Sequence, residues 1–136
     1  MTVGVVIVTH YGLGQEFLQA LRLIVPEARE FHAVAIEPDQ SVEEMRKAVG
    51  GALRAADRGG GVLVLTDMFG GTPSNISLSF LEDRPVEVVT GVNLPMLIKL
   101  ATLRGEKSLE DLAVFIKDYG RRNISVARQI LPEGDA

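Results

Sequence analysis

His10 is the residue whose type and position in this chain most clearly allow chemistry. It follows an apolar segment, residues 3–8, and precedes the glycine-bearing turn 11–14. The segment contains four valines and one isoleucine, which is typical of a strand buried on both faces of a parallel sheet. Ligands of open α/β sheets bind beyond the carboxyl ends of such strands. The position favours a histidine that faces a ligand crevice, with an idle, solvated loop histidine as the alternative.

Asp67 is a second candidate, because it follows another strand of the same kind. Residues 62–65 are continuously apolar, and Thr66 and Asp67 come next. In a sheet of order 2-1-3-4 the first and third strands are neighbours, so His10 and Asp67 would lie side by side. The carboxylate could accept the proton of one ring nitrogen and leave the lone pair of the other free to attack. The predicted pair is a nucleophile and its orienting group, with the carboxylate also stabilising positive charge on the attacking ring.

Glycine-bearing turns beside both residues predict an anion site. Gly70, Gly71 and Thr72 precede one predicted helix, and Gly12 precedes another. Main-chain N–H groups at helix N-termini bind anions, of which phosphate is the commonest. The electrophile is therefore predicted to be a phosphoryl group bound by Gly12, Gly70, Gly71 and Thr72. Each residue also has a structural alternative: tight turns for the glycines, a helix cap for Thr72 and a strand end for Asp67.

The elements that must position these residues alternate between strand and helix along the whole chain. This alternation predicts an α/β fold of three layers, α/β/α, with a central, mainly parallel sheet of order 2-1-3-4. The predicted strands are residues 3–8, 33–36, 62–65 and 86–89. The first predicted helix covers residues 15–24, and the second begins at a capping box formed by Ser41 and Glu44. The third is predicted from an N-cap at Thr72 to about Leu81. The fourth covers residues 96–103 after a cap at Asn93, and the last begins at Ser108 and runs toward Ile130. Gly120 is expected to weaken that last helix midway.

Length, composition and net charge limit the classes of protein to which this chain can belong. The length of 136 residues and a hydrophobic content of 46% predict a single globular domain, residues 1–136. The lack of cysteine excludes disulfides and thiolate chemistry. A net charge of −4 argues against nucleic-acid binding, and no apolar segment suits a signal or a membrane span, so a cytoplasmic location is expected. No phosphate-binding loop of nucleotide kinases and no hydrolase elbow occurs, so chemistry without a metal or cofactor is predicted.

Three motifs resemble those of one family. They are VTHYG at residues 8–12, TDMFGGTPSN at 66–75 and TGVNLPM at 90–96. Together they look like the enzyme IIA domain of mannose-type sugar phosphotransferase systems, with a similarity that covers nearly the whole chain. The motifs fall at three predicted strand ends in the right order.

The resemblance implies a role for each of the candidate residues. His10 would accept a phosphoryl group from the phosphohistidine of HPr and pass it to a IIB partner. Asp67 would bind the proximal ring nitrogen, and Thr72 with nearby amides would contact the phosphoryl group. Many members carry glycine directly after the histidine, whereas Tyr11 intervenes here before Gly12. The shape of this turn is therefore expected to differ.

The resemblance also implies partners. Such domains form homodimers, with a C-terminal segment exchanged as an antiparallel edge strand, and they associate peripherally with membrane transporters of the IIC and IID type. A fused IIB domain is not expected after Ala136, so IIB is expected on a separate chain. Two alternatives stay open: a regulatory phosphoprotein or binding module of the same fold without a transporter, and the phosphoryl donor subunit for dihydroxyacetone phosphorylation. A receiver domain would need an acidic pair where Thr9 and His10 stand.

Overall fold

Four parallel strands form the central sheet of the computed structural model, which describes residues 2–28, 30–103 and 105–131. They are β1 (Gly4–His10), β2 (Phe31–Ile36), β3 (Val62–Thr66) and β4 (Val86–Thr90). Their order is β2-β1-β3-β4, and each neighbouring pair runs parallel. The predicted three-layer α/β/α class and the strand order 2-1-3-4 are confirmed. The two central strands are β1 and β3, which are also the strands that end at His10 and before Asp67.

Six helices flank this sheet within the described residues. They are α1 (Leu13–Ile24), α2 (Val42–Ala56), α3 (Thr72–Leu78), α4 (Leu94–Leu103), α5 (Leu109–Arg122) and α6 (Ala127–Ile130). Alternate side chains of β1 enter opposite cores, as the pleat of a strand requires. Val5 and Ile7 pack with α1, α4 and α5, whereas Val6 and Val8 pack with α2 and α3. The sheet is thus buried on both faces, which fixes the positions of the strand ends.

The helix starts follow the predicted residues in three cases out of four. Ser108 caps α5, and its Oγ accepts a hydrogen bond from the Asp111 N–H at 3.2 Å. Ser41 Oγ accepts a hydrogen bond from the Glu44 N–H at 3.0 Å, and Glu44 Oε1 accepts one from the Ser41 N–H at 2.9 Å, so the capping box is confirmed. Asn93 Oδ1 accepts from the Met96 N–H at 3.2 Å, which confirms that cap. The N-cap predicted at Thr72 is wrong. The cap residue is Gly71, and Thr72 is the first helical residue.

Two helix ends also differ from the prediction. Helix α3 ends at Leu78, and a series of turns replaces the helix predicted as far as Leu81. The last helix does not continue toward Ile130, because α5 ends at Arg122 and α6 is a separate single turn. Asn123 caps α5, with its Nδ2 donating to the carbonyl of Tyr119 at 2.9 Å. Asn and Gly favour such helix ends because their conformational freedom suits the cap.

Helix α5 continues through Gly120, where a weakening of the helix is predicted. A methyl group at this position would lie 2.5 Å from Sδ of Met96 in α4. The glycine therefore allows α4 and α5 to approach closely. Its cost in helix propensity is about 1 kcal/mol relative to alanine, and the packing of two helices offsets that cost.

The C-terminal residues bear on the predicted exchange between subunits. Residues 123–131 contain α6 and no strand, and residues 132–136 lie outside the described part of the chain. An exchanged antiparallel edge strand therefore stays a prediction about a dimer. In the three described ranges, no helix has both the length and the apolar character that a membrane crossing requires.

Candidate functional site

His10 and Asp67 meet at the carboxyl ends of the two central strands. The register of β1 and β3 pairs Val8 with Thr66, which brings the next residues of both strands to the same edge of the sheet. Asp67 Oδ2 lies 2.8 Å from Nδ1 of the imidazole and also accepts the main-chain N–H of His10 at 3.0 Å. Because a carboxylate only accepts hydrogen bonds, the proton is placed on Nδ1, and Nε2 keeps its lone pair. The structure thus brings together the two residues predicted to carry the chemistry.

The environment of Asp67 favours its charged form. Burial raises the pKa of this carboxyl, but the hydrogen bonds from the ring and main chain of His10, together with the attraction of its charge, more than reverse that effect. The pKa of Asp67 therefore lies below its usual range. Its Oδ1 also accepts the N–H of Met68 at 3.1 Å. Both carboxylate oxygens are held, so the group acts as a fixed negative charge beside the imidazole.

The lowered pKa of Asp67 predicts a pH dependence of stability. A carboxyl whose pKa is lower in the folded state stabilises the fold above its unfolded pKa of about 4, and this contribution is lost as the pH falls through the folded value. We expect Asp67→Asn to lower the free energy of unfolding by about 1–3 kcal/mol near neutral pH. The difference from the wild type should shrink steadily on acidification, as measured by urea unfolding at several pH values. A difference that grows at low pH would contradict the lowered pKa.

The free edge of the imidazole faces Gly71. The His10 side chain is 43% exposed and Asp67 is 13% exposed, so the ring is anchored on its buried side and open at Nε2. A methyl group on Gly71 would lie 2.8 Å from Cε1 and 3.2 Å from Nε2. The N–H groups at the start of a helix have no intrahelical acceptor, so those of Gly71 and Thr72 are donors beside the ring. Glycine at 71 leaves the room there that an added group on Nε2 would need.

Gly71→Ala provides a test of this close approach. The backbone at Gly71 has φ −94° and ψ 175°, which alanine adopts freely, so the effect should come from the clash with the ring. We expect the imidazole to leave its position on Asp67, with a loss of about 1–3 kcal/mol in unfolding free energy. Any reaction at Nε2 should slow about 10²-fold, as a misplacement of about 1 Å can cause.

Gly12→Ala is the matched control. Gly12 has φ −86°, and an added methyl group would meet no atom within 4 Å. Equal rates for the two variants would show that the approach of Gly71 to the ring is unimportant. A shift of the His10 ring resonances in Gly71→Ala but not in Gly12→Ala would locate the effect at the imidazole.

The other predicted phosphoryl-binding residues lie at different distances from the ring. Thr72 lines the same cleft as His10, whereas methyl groups at Gly12 and Gly70 would stay more than 4 Å from the imidazole. Gly70 has φ +91°, a conformation that side chains disfavour, so it shapes the turn that delivers Gly71. Gly12 caps α1 without a side-chain hydrogen bond. The geometry thus places Gly71 and Thr72 at the ring and gives Gly70 and Gly12 supporting positions in the turns.

Tyr11 has an unusual backbone conformation directly after His10. Its φ of +48° is the only positive value at a non-glycine among the described residues. Left-handed conformations at such residues cost about 1–3 kcal/mol and persist only where the surroundings enforce them. The N–H of Tyr11 donates to the carbonyl of Ile36 in β2 at 3.0 Å, and its carbonyl accepts from Thr9 Oγ1 at 3.2 Å. Hydrogen bonds with Ile36 and Thr9 thus hold the turn at Tyr11, where the sequence predicts a difference from related proteins, in this conformation.

Thr9 and Thr66 are site residues that the sequence reasoning did not single out. Both are fully buried, and each directly precedes one member of the pair. Thr9 Oγ1 donates to the carbonyl of Tyr11 and accepts the N–H of Gly14 at 2.9 Å. Thr66 Oγ1 donates to the carbonyl of Met68 at 3.3 Å. In the sequence, a threonine directly precedes each polar residue at the end of a central strand. This repeated pattern is the signal by which the two threonines could have been predicted as site residues.

A cleft of about 230 Å³ opens beside the ring. Its lining consists of His10, Tyr11, Ile36, Glu37, Pro38, Met45 and Thr72. This lining, which belongs wholly to the described part of the chain, includes neither lysine nor arginine. The described residues also hold no cluster of three or more side chains suited to a metal ion. The donors that an anion would meet here are therefore neutral ones, the main-chain N–H groups and the hydroxyl of Thr72.

The chain is similar to known proteins along most of its length. The family model described as "PTS system fructose IIA component" matches residues 4–117. The PTS system mannose-specific EIIAB component of Escherichia coli (strain K12) is 27% identical over 130 residues, or 94% of this chain and 40% of that protein. The PTS system fructose-specific EIIA component of Bacillus subtilis (strain 168) is 28% identical over 130 residues, or 95% of this chain and 89% of that protein.

A solved structure shares the fold. The mannose/sorbose specific IIA subunit of the phosphotransferase system from Enterococcus faecalis superposes with a TM-score of 0.86 and 25% identity, covering 98% of both chains. By contrast, the chain spans only 40% of the length of the Escherichia coli relative. The likeness to that larger protein therefore concerns less than half of it.

Proposed function

This chain belongs to the family of PTS fructose IIA components, and we propose that its His10 accepts a phosphoryl group from phospho-HPr and passes it to a IIB component. The hydrogen bond of 2.8 Å between His10 Nδ1 and Asp67 Oδ2 is the observation that carries this proposal. It defines which nitrogen holds the proton and which is free to react. The family supports the class of reaction, and the geometry supports Nε2 as the atom proposed to perform it.

In the proposed transfer, Nε2 of His10 is the nucleophile. Its lone pair attacks the phosphorus of the HPr phosphohistidine, a new N–P bond forms, and the electron pair of the broken N–P bond returns to the HPr imidazole. The proton on Nδ1 stays in place, so the phosphorylated ring carries a positive charge that the adjacent Asp67 carboxylate stabilises. Transfer to IIB is the same step in reverse, with a nucleophile of the partner attacking the phosphorus.

Gly71 and Thr72 are proposed to bind the phosphoryl oxygens. A group on Nε2 would enter the space that the missing side chain of Gly71 leaves open. The N–H groups of both residues and the hydroxyl of Thr72 are the nearest donors at the start of α3. Gly12 and Gly70 would contribute by shaping the turns around this space. Such preorganised donors stabilise charge that develops during transfer without first having to reorient.

Exposed apolar side chains around His10 support docking by protein partners. Phe69 is 72% exposed, and Met68, Tyr11 and Leu13 are also exposed. Tyr11, Met68 and Phe69 occupy the two loops that follow β1 and β3, and Leu13 is the first residue of α1. Aromatic side chains and methionine are enriched where protein partners bind. We propose that phospho-HPr and IIB use this rim in turn, that the protein acts in the cytoplasm, and that a homodimer is its working form.

The test is phosphorylation of the purified chain. It is incubated with phosphoenolpyruvate, enzyme I and HPr, and intact-mass measurement follows the product. We expect the mass to rise by one phosphoryl group, with loss of that group in acid and stability in alkali, as for a phosphohistidine. Omission of HPr should prevent the modification. An unmodified chain in the complete mixture would refute the proposal.

A further inference from the structure

A second cleft, of about 400 Å³, lies between α2 and the turns that follow α3. It shares no lining residue with the cleft at His10. Its lining consists of Glu43, Arg46, Lys47, Gly50, Arg54 and Phe80. Three of these six side chains are cationic, although the whole chain has a net charge of −4. Positive charge is therefore concentrated at this cleft.

The buried ring of Phe80 holds two guanidinium groups in place. The guanidinium carbon of Arg46 lies 4.9 Å from the ring centroid, and that of Arg84 lies 5.5 Å from it. Arg46 also donates from Nη1 to Oγ of Ser79. Attraction between a cation and an aromatic face restrains a long side chain that would otherwise sample many rotamers. Both guanidinium groups are therefore positioned around one ring.

Gly50 lies beside a third guanidinium, that of Arg54. It is buried in α2, and a methyl group there would lie 3.6 Å from Nη1 of Arg54 and 3.6 Å from Cε1 and Cζ of Phe80. The guanidinium of Arg54 and the edge of the aromatic ring therefore both border the space above the glycine. A larger residue at 50 would fill the floor of the cleft between the cations.

These cations have no carboxylate partner within the described part of the chain. None of Arg46, Lys47, Arg54 and Arg84 forms an ion pair there. Glu43 lines the cleft, yet it does not approach any of them within salt-bridge distance. The Nε of Arg84 is buried and lacks a hydrogen-bond partner among the described residues. Like charges so close together repel one another, so a counter-charge from another molecule would stabilise the cluster.

We propose that this cleft binds a small phosphorylated metabolite, at a site separate from the phosphoryl-accepting histidine. Guanidinium groups match the oxygens of a phosphate in pairs, which makes arginine the usual residue for this recognition. The volume is within the range of small-molecule sites, roughly 300–1,000 Å³. The exposed carboxylate of Glu43 lines the cleft, and the exposed Glu82 and Asp83 directly precede Arg84 in the chain. They would repel a broad acidic protein surface, and so they favour a small anion.

The inference is tested by titrating the ¹⁵N-labelled protein at a fixed ionic strength of about 0.15 M, where exposed charges are screened. The probes are inorganic phosphate, a hexose monophosphate and an oligoglutamate peptide. We expect saturable shifts at the amides of Gly50 and Gly51 and at the Nε–H of Arg54 with the phosphate probes. Tighter binding of the hexose monophosphate identifies an ester as the ligand, and equal binding shows that the phosphoryl group alone is recognised.

Arg54→Gln and Arg46→Gln are the diagnostic variants, because both guanidinium groups line the cleft. Each should weaken binding about tenfold or more, the effect of losing one charge-assisted hydrogen bond. Arg128→Gln is the matched control, because it removes the same charge from an exposed position on α6. Shifts that do not saturate, equal losses in all three variants, binding of the peptide alone, or shifts confined to His10, Gly71 and Thr72 would each overturn the proposal.

Discussion

Replacing His10 by glutamine is expected to abolish phosphoryl acceptance while the fold is retained. The side chain is half exposed, and its hydrogen bonds involve only Asp67, so the core loses no packing. The glutamine amide can still donate to the carboxylate, which avoids leaving a buried charge without a partner. Because the nucleophile itself is removed, we expect the rate to fall at least about 10⁴-fold. Intact-mass measurement after incubation with phosphoenolpyruvate, enzyme I and HPr checks this.

His32→Gln is the control for the histidine variant. The chain has two histidines, and His32 lies near the start of β2, far from the carboxyl edge where His10 lies. Its replacement should leave phosphorylation unchanged. Label that persists in His10→Gln and disappears in His32→Gln would move the acceptor to the other end of the sheet and refute the proposed site.

Asp67→Asn is expected to give the second largest effect. The amide is as large as the carboxylate, but it carries no charge and can turn its NH₂ group toward Nδ1. The ring could then adopt the other tautomer, with the proton on Nε2, where it blocks attack. A comparable loss of the orienting carboxylate slows serine proteases about 10⁴-fold, and we expect a decrease of about 10²- to 10⁴-fold here. Quenched-flow transfer from phospho-HPr measures the rate, and ¹⁵N shifts of the ring report the tautomer.

Asp39→Asn separates this effect from a general loss of negative charge. Asp39 is exposed in the loop between β2 and α2, close to Pro38 in the lining of the His10 cleft. It should transfer at the wild-type rate with an unchanged tautomer. If Asp67→Asn keeps both the rate and the Nδ1–H tautomer, the orienting role is excluded even though the hydrogen bond exists.

The pairing of His10 with Asp67 was predictable because it depends only on strand order. Continuous apolar runs identified β1 and β3 as central strands, and the order 2-1-3-4 makes their ends adjacent. Side-chain detail was not needed for that step. By comparison, the role of Gly71 depends on how closely the turn approaches the ring, which composition does not encode. The cap was assigned to Thr72 for the same reason, since residues 71 and 72 both suit the start of a helix.

Tertiary contacts explain the rest of the differences. The last helix was extended toward Ile130 because its apolar pattern continues, but the cap at Asn123 ends α5 at Arg122. The cationic cleft combines residues of α2 with Phe80, whose ring also contacts Arg84. The linear sequence does not reveal that these residues converge.

The lack of lysine and arginine in the described lining of the His10 cleft affects how long a phosphoryl group would stay there. Lysine or arginine among those residues would hold the phosphoryl oxygens by charge-assisted bonds of about 1.5–3 kcal/mol each. Each such bond would delay departure about tenfold or more. Because the described lining carries no such cation, the phosphoryl group would be held there without charge-assisted bonds from lysine or arginine. The site is then suited to be a relay that empties readily, and a more strongly binding site would store the group.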